Sequence, residues 1–165
     1  MTISIKYENL EDIVQADNNP KDHDLGVIYQ SMKRFGFTNP IIMNESSGKL
    51  LAGHGRLKTL QMMKDNGEKA PQRIEVDENI WKVPVIYGVS IENLAESQAY
   101  LLADNRITEL GGWKPMDLME SLTDIIEETG TLDGTGYDLD DVETILGDID
   151  TGFDVETETS DGIDE

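Results

Sequence analysis

The chain reads as an α+β fold with a C-terminal helical appendage and an acidic tail. Three observations carry that reading. Short β-type apolar runs alternate with stretches of helical periodicity over the first two thirds of the chain. A glycine-rich turn, Gly53-His54-Gly55-Arg56, joins an apolar run to a helical one. The charge then changes abruptly. All 13 Lys and Arg lie at or before Lys114 against 16 acidic residues, giving −3; residues 115–165 hold 18 acidic residues and no basic one, giving −18. The expected organisation is a domain over 1–110, an acidic helical extension over 111–149 and a disordered acidic tail over 150–165.

Residues 4–7 read as a first strand and 10–14 as a turn or helix start. Asp17, Asn18, Asn19 and Pro20 form a loop with strong turn chemistry, and the proline biases Asn19 to extended backbone. Leu25, Ile28, Met32 and Phe35 recur at helical spacing; this helix should lay Met32 and Phe35 on the sheet and stop at Gly36. Residues 40–44 and 49–52 are strands around a 45–48 turn, and a helix starts at or just after Gly55 and stops at Asn66-Gly67. The polar stretch 68–79 reads as an inserted loop. Residues 81–89 are a buried-type strand, which Pro84 assigns to an edge or a strand start. Residues 90–106 form a helix with Ser90 as N-cap. Beyond Gly111-Gly112-Trp113, residues 116–129 carry the stripe Met119, Leu122, Ile125 and Ile126, and 139–146 a second short one, with Trp113 as the expected anchor.

A strand, a glycine turn and a helix N-terminus make an anion site, because first-turn amides lack intrahelical partners and the macrodipole is positive there. Arg56 adds a fork of donors shaped for phosphate oxygens. The same residues also suit an ordinary turn with Arg56 in a surface ion pair. A second cluster, Asp104, Asn105 and Arg106, places a carboxylate and an amide oxygen, which suit a hard cation, beside a phosphate-binding guanidinium. Its plain alternative is an Asp104–Arg106 ion pair. No cysteine is present, which excludes disulfides, thiolate metal sites and a cysteine nucleophile. The first residues, MTISIKYENLEDI, lack the features of a secretory signal, and no apolar run approaches the roughly 20 residues of a membrane helix. A cytoplasmic protein is expected.

Four motifs in order, Asn19-Pro20-Lys21, Phe35-Gly36-Phe37-Thr38-Asn39-Pro40-Ile41, Gly53-His54-Gly55-Arg56 and Leu102-Ala103-Asp104-Asn105-Arg106, resemble the ParB/sulfiredoxin superfamily. Gly112-Trp113 fits the same pattern. The resemblance is strongest to the ParB-like N-terminal ("ParB-like nuclease") domains of phage proteins and DNA methyltransferases. It covers residues 3–114 and implies a small mixed sheet with packed helices. It further implies a nucleoside triphosphate, CTP or ATP, with Mg²⁺. The phosphate contacts would be Asn19, Pro20, Lys21, Asn39, Gly53, His54, Gly55, Arg56 and Arg106. Asp104 and Asn105 would hold the metal, and His54 and Asp104 are the candidates for catalysis. His23 falls at a position that is often histidine in the family.

The chain departs from that pattern in four ways. Lys21 stands where arginine is usual and keeps the charge without the fork. Segregation ParB proteins have GERR where this chain has GHGR. Sulfiredoxins carry their catalytic cysteine in this turn, and none exists here. The helix-turn-helix that follows in segregation ParB proteins is replaced by acidic helices poor in phosphate-neutralising residues. The expected role is nucleotide binding, with or without hydrolysis, in phage or mobile-element DNA metabolism beside a methyltransferase or terminase. A nuclease or phosphotransferase using the same pocket, and an acidic interaction protein or DNA mimic, are the other two classes.

Overall fold

The computed structural model describes residues 2–17, 19 and 21–157. The chain divides into two compact units, Met1–Gly111 and Gly112–Glu165. Among the described residues no helix is long and apolar enough to cross a membrane.

The first unit is built on a five-stranded mixed sheet: β1 (Ser4–Asn9), β2 (Ile41–Asn44), β3 (Lys49–Ala52), β4 (Glu75–Asp77) and β5 (Ile80–Val89). The strand order is β1-β5-β2-β3, with β4 folded back antiparallel on the start of β5. β5 is antiparallel to β1, from Ser4↔Tyr87 to Asn9↔Lys82, and parallel to β2 at Ile41↔Val85. Its residues Trp81, Val83 and Val85 alternate onto one buried face, as a two-residue period requires. They join Met32 of α1 (Leu25–Phe35) and Leu57, Leu60 and Met63 of α2 (His54–Asp65) in a single core.

Several sequence-based expectations are corrected. Pro84 lies in the second strand of the sheet order rather than at an edge; it faces Tyr7 of β1 and stands one residue before the first β5–β2 pair. The stretch 68–79 is not all loop, since β4 pairs with β5 there. Phe35 is exposed at the end of α1, and Phe37 is buried instead, after Gly36 (φ +78°) turns the chain. α2 starts earlier than expected, at His54, and α3 runs over Leu94–Leu110 with Asn93 as its N-cap. Asn93 accepts from the amides of Ala95 and Glu96. Ser90 cannot take that place because 91 is tied down by another side chain: Asn44 donates to the Ile91 carbonyl (2.9 Å) and accepts from its amide (2.9 Å).

In the second unit, α4 (Pro115–Thr129) starts with proline at its first turn and ends at Gly130 in the left-handed region (φ +77°). Leu122 of its apolar stripe is buried. α5 (Leu139–Thr157) opens on a reciprocal capping pair in which Asp138 and Asp141 each accept from the other's amide (2.9 Å). α5 continues to Thr157 and so overlaps the stretch from Asp150 expected to lack structure; 158–165 lie outside the described residues. Trp113, the expected anchor, is 72% exposed.

Candidate nucleotide site

Gly53 caps α2 with φ +100°, a backbone conformation open to few residues but glycine. A Cβ there would also overlap Ile41 Cγ2. The glycine thus lets β3 turn into α2 against the sheet. Gly55 has a different reason: a Cβ would come within 2.8 Å of the His23 ring and of Ile28 Cδ1. His23 therefore lies over the first turn of α2, where its Nε2 accepts from the Asn19 amide (3.1 Å). His54 is buried, and its Nε2 accepts from the Ala16 amide (3.4 Å). The two imidazoles tie both ends of the 16–23 loop to α2. Burial chiefly, with Lys58 adding like charge, holds both histidines below the ordinary value; Lys21 adds to the effect at His23.

Arg56 follows one residue later. Its Nη2 donates to the Pro40 carbonyl (3.4 Å), while its Nε is buried and makes no hydrogen bond. Burial pushes the guanidinium below its usual pKa, and the Asp104 carboxylate opposes that shift. Asp104 belongs to α3, whose start is fixed by Asn44: besides the Ile91 backbone, Asn44 donates to Ser97 Oγ (3.2 Å). Further along, Glu109 accepts from Lys21 Nζ (3.3 Å) and from Arg106 Nη1 (3.3 Å). The alternative Asp104–Arg106 pair is not formed; Arg106 pairs with Glu109 instead. The Asn105 amide donates to the Leu101 carbonyl of its own helix (2.8 Å).

The three sequence clusters thus meet. The 19–23 loop, the start of α2 and the last turns of α3 are linked through His23 over Gly55 and Lys21 to Glu109, and the Asp104 carboxylate acts on Arg56 through charge. Asn19 is turned inward, its oxygen accepting from the Lys21 amide (3.2 Å). Asn39 is exposed in the turn before β2, next to the Pro40 carbonyl that Arg56 holds. Pro20 lies outside the described residues. Among the described residues no three His, Asp or Glu stand close enough to hold a metal by themselves. Three participants were missed by sequence reasoning: Asn44, Lys58 and Glu109. Lys58 was detectable as the residue one helical turn after His54, and Glu109 as i+3 from Arg106.

Beside this constellation, α3 borders a cleft of about 200 Å³. Leu51, Ile91, Leu94 and Leu101 supply apolar wall, Asn44, Ser97 and Gln98 polar groups, and Asp17 and Lys49, which form an ion pair, also line it.

No protein-family model matches the chain. A ParB-like nuclease domain-containing protein of Escherichia coli (strain K12), YnaK, is 32% identical over 65 residues, 38% of this chain and 74% of that protein. Among solved structures, the C-terminally truncated chromosome-partitioning protein ParB from Caulobacter crescentus, complexed with CTP-γ-S, superposes with a TM-score of 0.51. The match is 16% identical and covers 76% of this chain and 64% of that one, so it is a likeness of fold, and the present chain spans under two thirds of its neighbour's length. Identity over most of a ParB-like relative, joined to this fold, shows that the chain belongs to the ParB-like family.

Proposed function

We propose that the first unit binds a nucleoside triphosphate, CTP or ATP, with its phosphates at the start of α2. The observation that carries this reading is Arg56: a guanidinium drawn into the protein beside a glycine turn, with a buried Nε that makes no hydrogen bond. Burying a charged donor unpaired is costly, and a phosphate oxygen would supply the missing acceptor. The first-turn amides of α2 and Lys21 add to the same field. The bound CTP-γ-S of the structural neighbour favours the same class of ligand.

The cleft along α3 suits the base. Gln98, which lines it, precedes Asp104 by six residues, about 9 Å of helix, a span that a nucleotide covers between base and phosphates. Mg²⁺ fits this donor set only as a phosphate-borne ion, because among the described residues no three His, Asp or Glu stand close enough to hold a metal and Asn105 is engaged with Leu101. One or two carboxylates suffice when phosphates complete the shell. When bound, Mg²⁺ would neutralise charge on the phosphate oxygens, and Asp104 would hold it. We take binding as the activity and assign no turnover: His54 is buried and its Nε2 is taken by the Ala16 amide. The wider role we place in the cytoplasm, in phage or mobile-element DNA metabolism beside a methyltransferase or terminase; the motif set supports it.

Calorimetry of the full chain with the four nucleoside triphosphates and Mg²⁺ tests the reading. Arg56→Ala should weaken binding roughly tenfold to a hundredfold, the worth of a charge-assisted contact of about 1.5–3 kcal/mol. Arg56→Lys should recover only part, lacking the fork. Unchanged affinity in both folded variants would remove Arg56 from the phosphates. The name of the Escherichia coli relative favours a second reading, a nuclease; nicking of plasmid DNA in Mg²⁺ that Asp104→Asn abolishes would establish it.

A further inference from the structure

We propose that Glu109 is a built-in substitute for phosphate: it occupies Lys21 and Arg106 and sets the anionic charge a ligand must bring to displace it. The proposal rests on the nucleotide reading above and adds to it a selection for polyphosphates over monophosphates.

Two basic side chains that the family resemblance implies as phosphate contacts, from the 19–23 loop and from α3, converge on this one carboxylate. Lys21 donates to Oε1 and Arg106 to Oε2, each at 3.3 Å. The geometry is that of a two-oxygen anion held between two cations, as a terminal phosphate would be. All three side chains are substantially exposed, so a ligand can reach the cations and the carboxylate can swing away. Those two contacts, Lys21 first, hold the Glu109 carboxyl below its usual range, so it stays an anion at neutral pH. Arg56 stands apart from this arrangement. Its guanidinium is largely buried, and Asp104 acts on it through charge.

The arrangement separates two classes of ligand. A monophosphate satisfied at Arg56 leaves Glu109 in place. A triphosphate extends to Lys21 and Arg106 and must displace Glu109 from them. Removing the Glu109 charge should therefore strengthen triphosphate binding and leave monophosphate binding alone. If Glu109 instead only fastened the loop that carries Lys21, its loss would loosen the site and weaken binding. The two roles predict opposite signs.

The test compares the full-length protein with Glu109→Gln by calorimetry, using CTP, CMP and inorganic tripolyphosphate as probes. Expected for Glu109→Gln is a gain of about three- to fivefold for CTP and tripolyphosphate at low salt, the scale of exposed ion pairs. CMP should be unaffected, and the gain should fade near 1 M salt, where charges are screened within about 3 Å. In a Lys21→Ala/Arg106→Ala background the same substitution should add nothing, since the partners it frees are gone. CTP affinity that is equal or lower in Glu109→Gln, or a gain that survives loss of both cations, would overturn the proposal. A gain for tripolyphosphate without any CTP binding would uphold Glu109 and refute the nucleotide reading. No binding of CTP or tripolyphosphate by either protein would refute both.

Discussion

In the Met1–Gly111 unit fourteen buried apolar side chains form one cluster; in the Gly112–Glu165 unit the buried apolar side chains among the described residues are Leu122 and Leu132. The polar groups differ in parallel. The first unit buries Asn44, His54 and Thr59 and draws in Arg56, whereas the second is rich in acidic residues, Lys114 being its one basic residue. A large core can hold groups in costly states because many neighbours fix them at once. An unpartnered Arg56 Nε and two depressed histidines sit in the first unit. The second unit has no such reserve, and its local chemistry is correspondingly plain: a proline start, a glycine stop and a capping pair. Chemistry that needs strain and desolvation belongs in the first unit.

Glycine substitutions break this comparison most sharply. Gly53→Ala forces a Cβ into the left-handed region and onto Ile41. Strain and overpacking together should cost about 2–4 kcal/mol. The two tryptophans report the units separately, because Trp81 is buried in the first and Trp113 is exposed in the second. Denaturant unfolding followed by Trp81 fluorescence in a Trp113→Phe background should show the loss. A midpoint unchanged by Gly53→Ala would mean that the turn does not have this conformation.

Acid should distinguish the units next, with a smaller effect. Folding holds His23 and His54 below the ordinary histidine value, so the unfolded chain takes up protons first. Stability rises with pH wherever the unfolded state binds more protons. The first unit should therefore be fully stable above about pH 6.5 and lose stability as the pH falls below that toward the folded values. Glu11, held low by its hydrogen bond with Lys64, adds a separate loss only below its reference value of 4.5. The second unit contains no histidine. Thermal melts of the Trp113→Phe protein between pH 7.5 and 5.5 should show a falling midpoint, and His54→Gln should flatten the dependence while keeping an acceptor for Ala16. A flat wild-type profile would mean that the histidines are not buried as neutral groups.

How far the sequence foretold this division depends on the range of the forces involved. The glycine turn, β3 and the limits of α1 were legible because each is set by neighbours in sequence: an apolar run, glycines, a 3.6-residue period. Pro84 was misread because a proline argues for an edge, and nothing in the sequence reveals that β5 has a partner on both sides. Phe35 satisfied the helical period, but the period does not say where the sheet beneath ends. The start of α3 was misplaced by three residues because Ser90 and Asn93 are both good caps; the Asn44 side chain, 47 residues before Ile91, decides between them. β4 is three residues without an apolar alternation, and only its pairing defines it. At the candidate site the motif residues were legible as a set. Their mutual arrangement was not: that Glu109 and not Asp104 takes Arg106, or that His54 faces Ala16, depends on the packing of α3 and the loop.

The smallest effect concerns the second unit and has the opposite sign. Gly147 lies within α5, exposed, and among the described residues nothing stands within 4 Å of where a Cβ would go. Glycine inside a helix is costly because the unfolded chain loses more conformational freedom there than with any other residue. Gly147→Ala should stabilise α5 by about 0.5–1 kcal/mol, the difference in helix propensity. The gain should appear as added helical circular dichroism and a higher melting point for the helical signal, with Trp81 fluorescence unfolding at its wild-type midpoint. This contrasts directly with Gly53→Ala, where the same added methyl group meets Ile41 and a forbidden backbone angle. The result also tests the extent of α5. If the helix continues past Gly147 to Thr157, the alanine sits mid-helix and its propensity counts in full. If the chain instead leaves the helix near Ile149, position 147 lies in a fraying last turn, and the substitution should add almost nothing. A destabilisation would contradict the open surroundings of Gly147 and would mean that this face of α5 is covered.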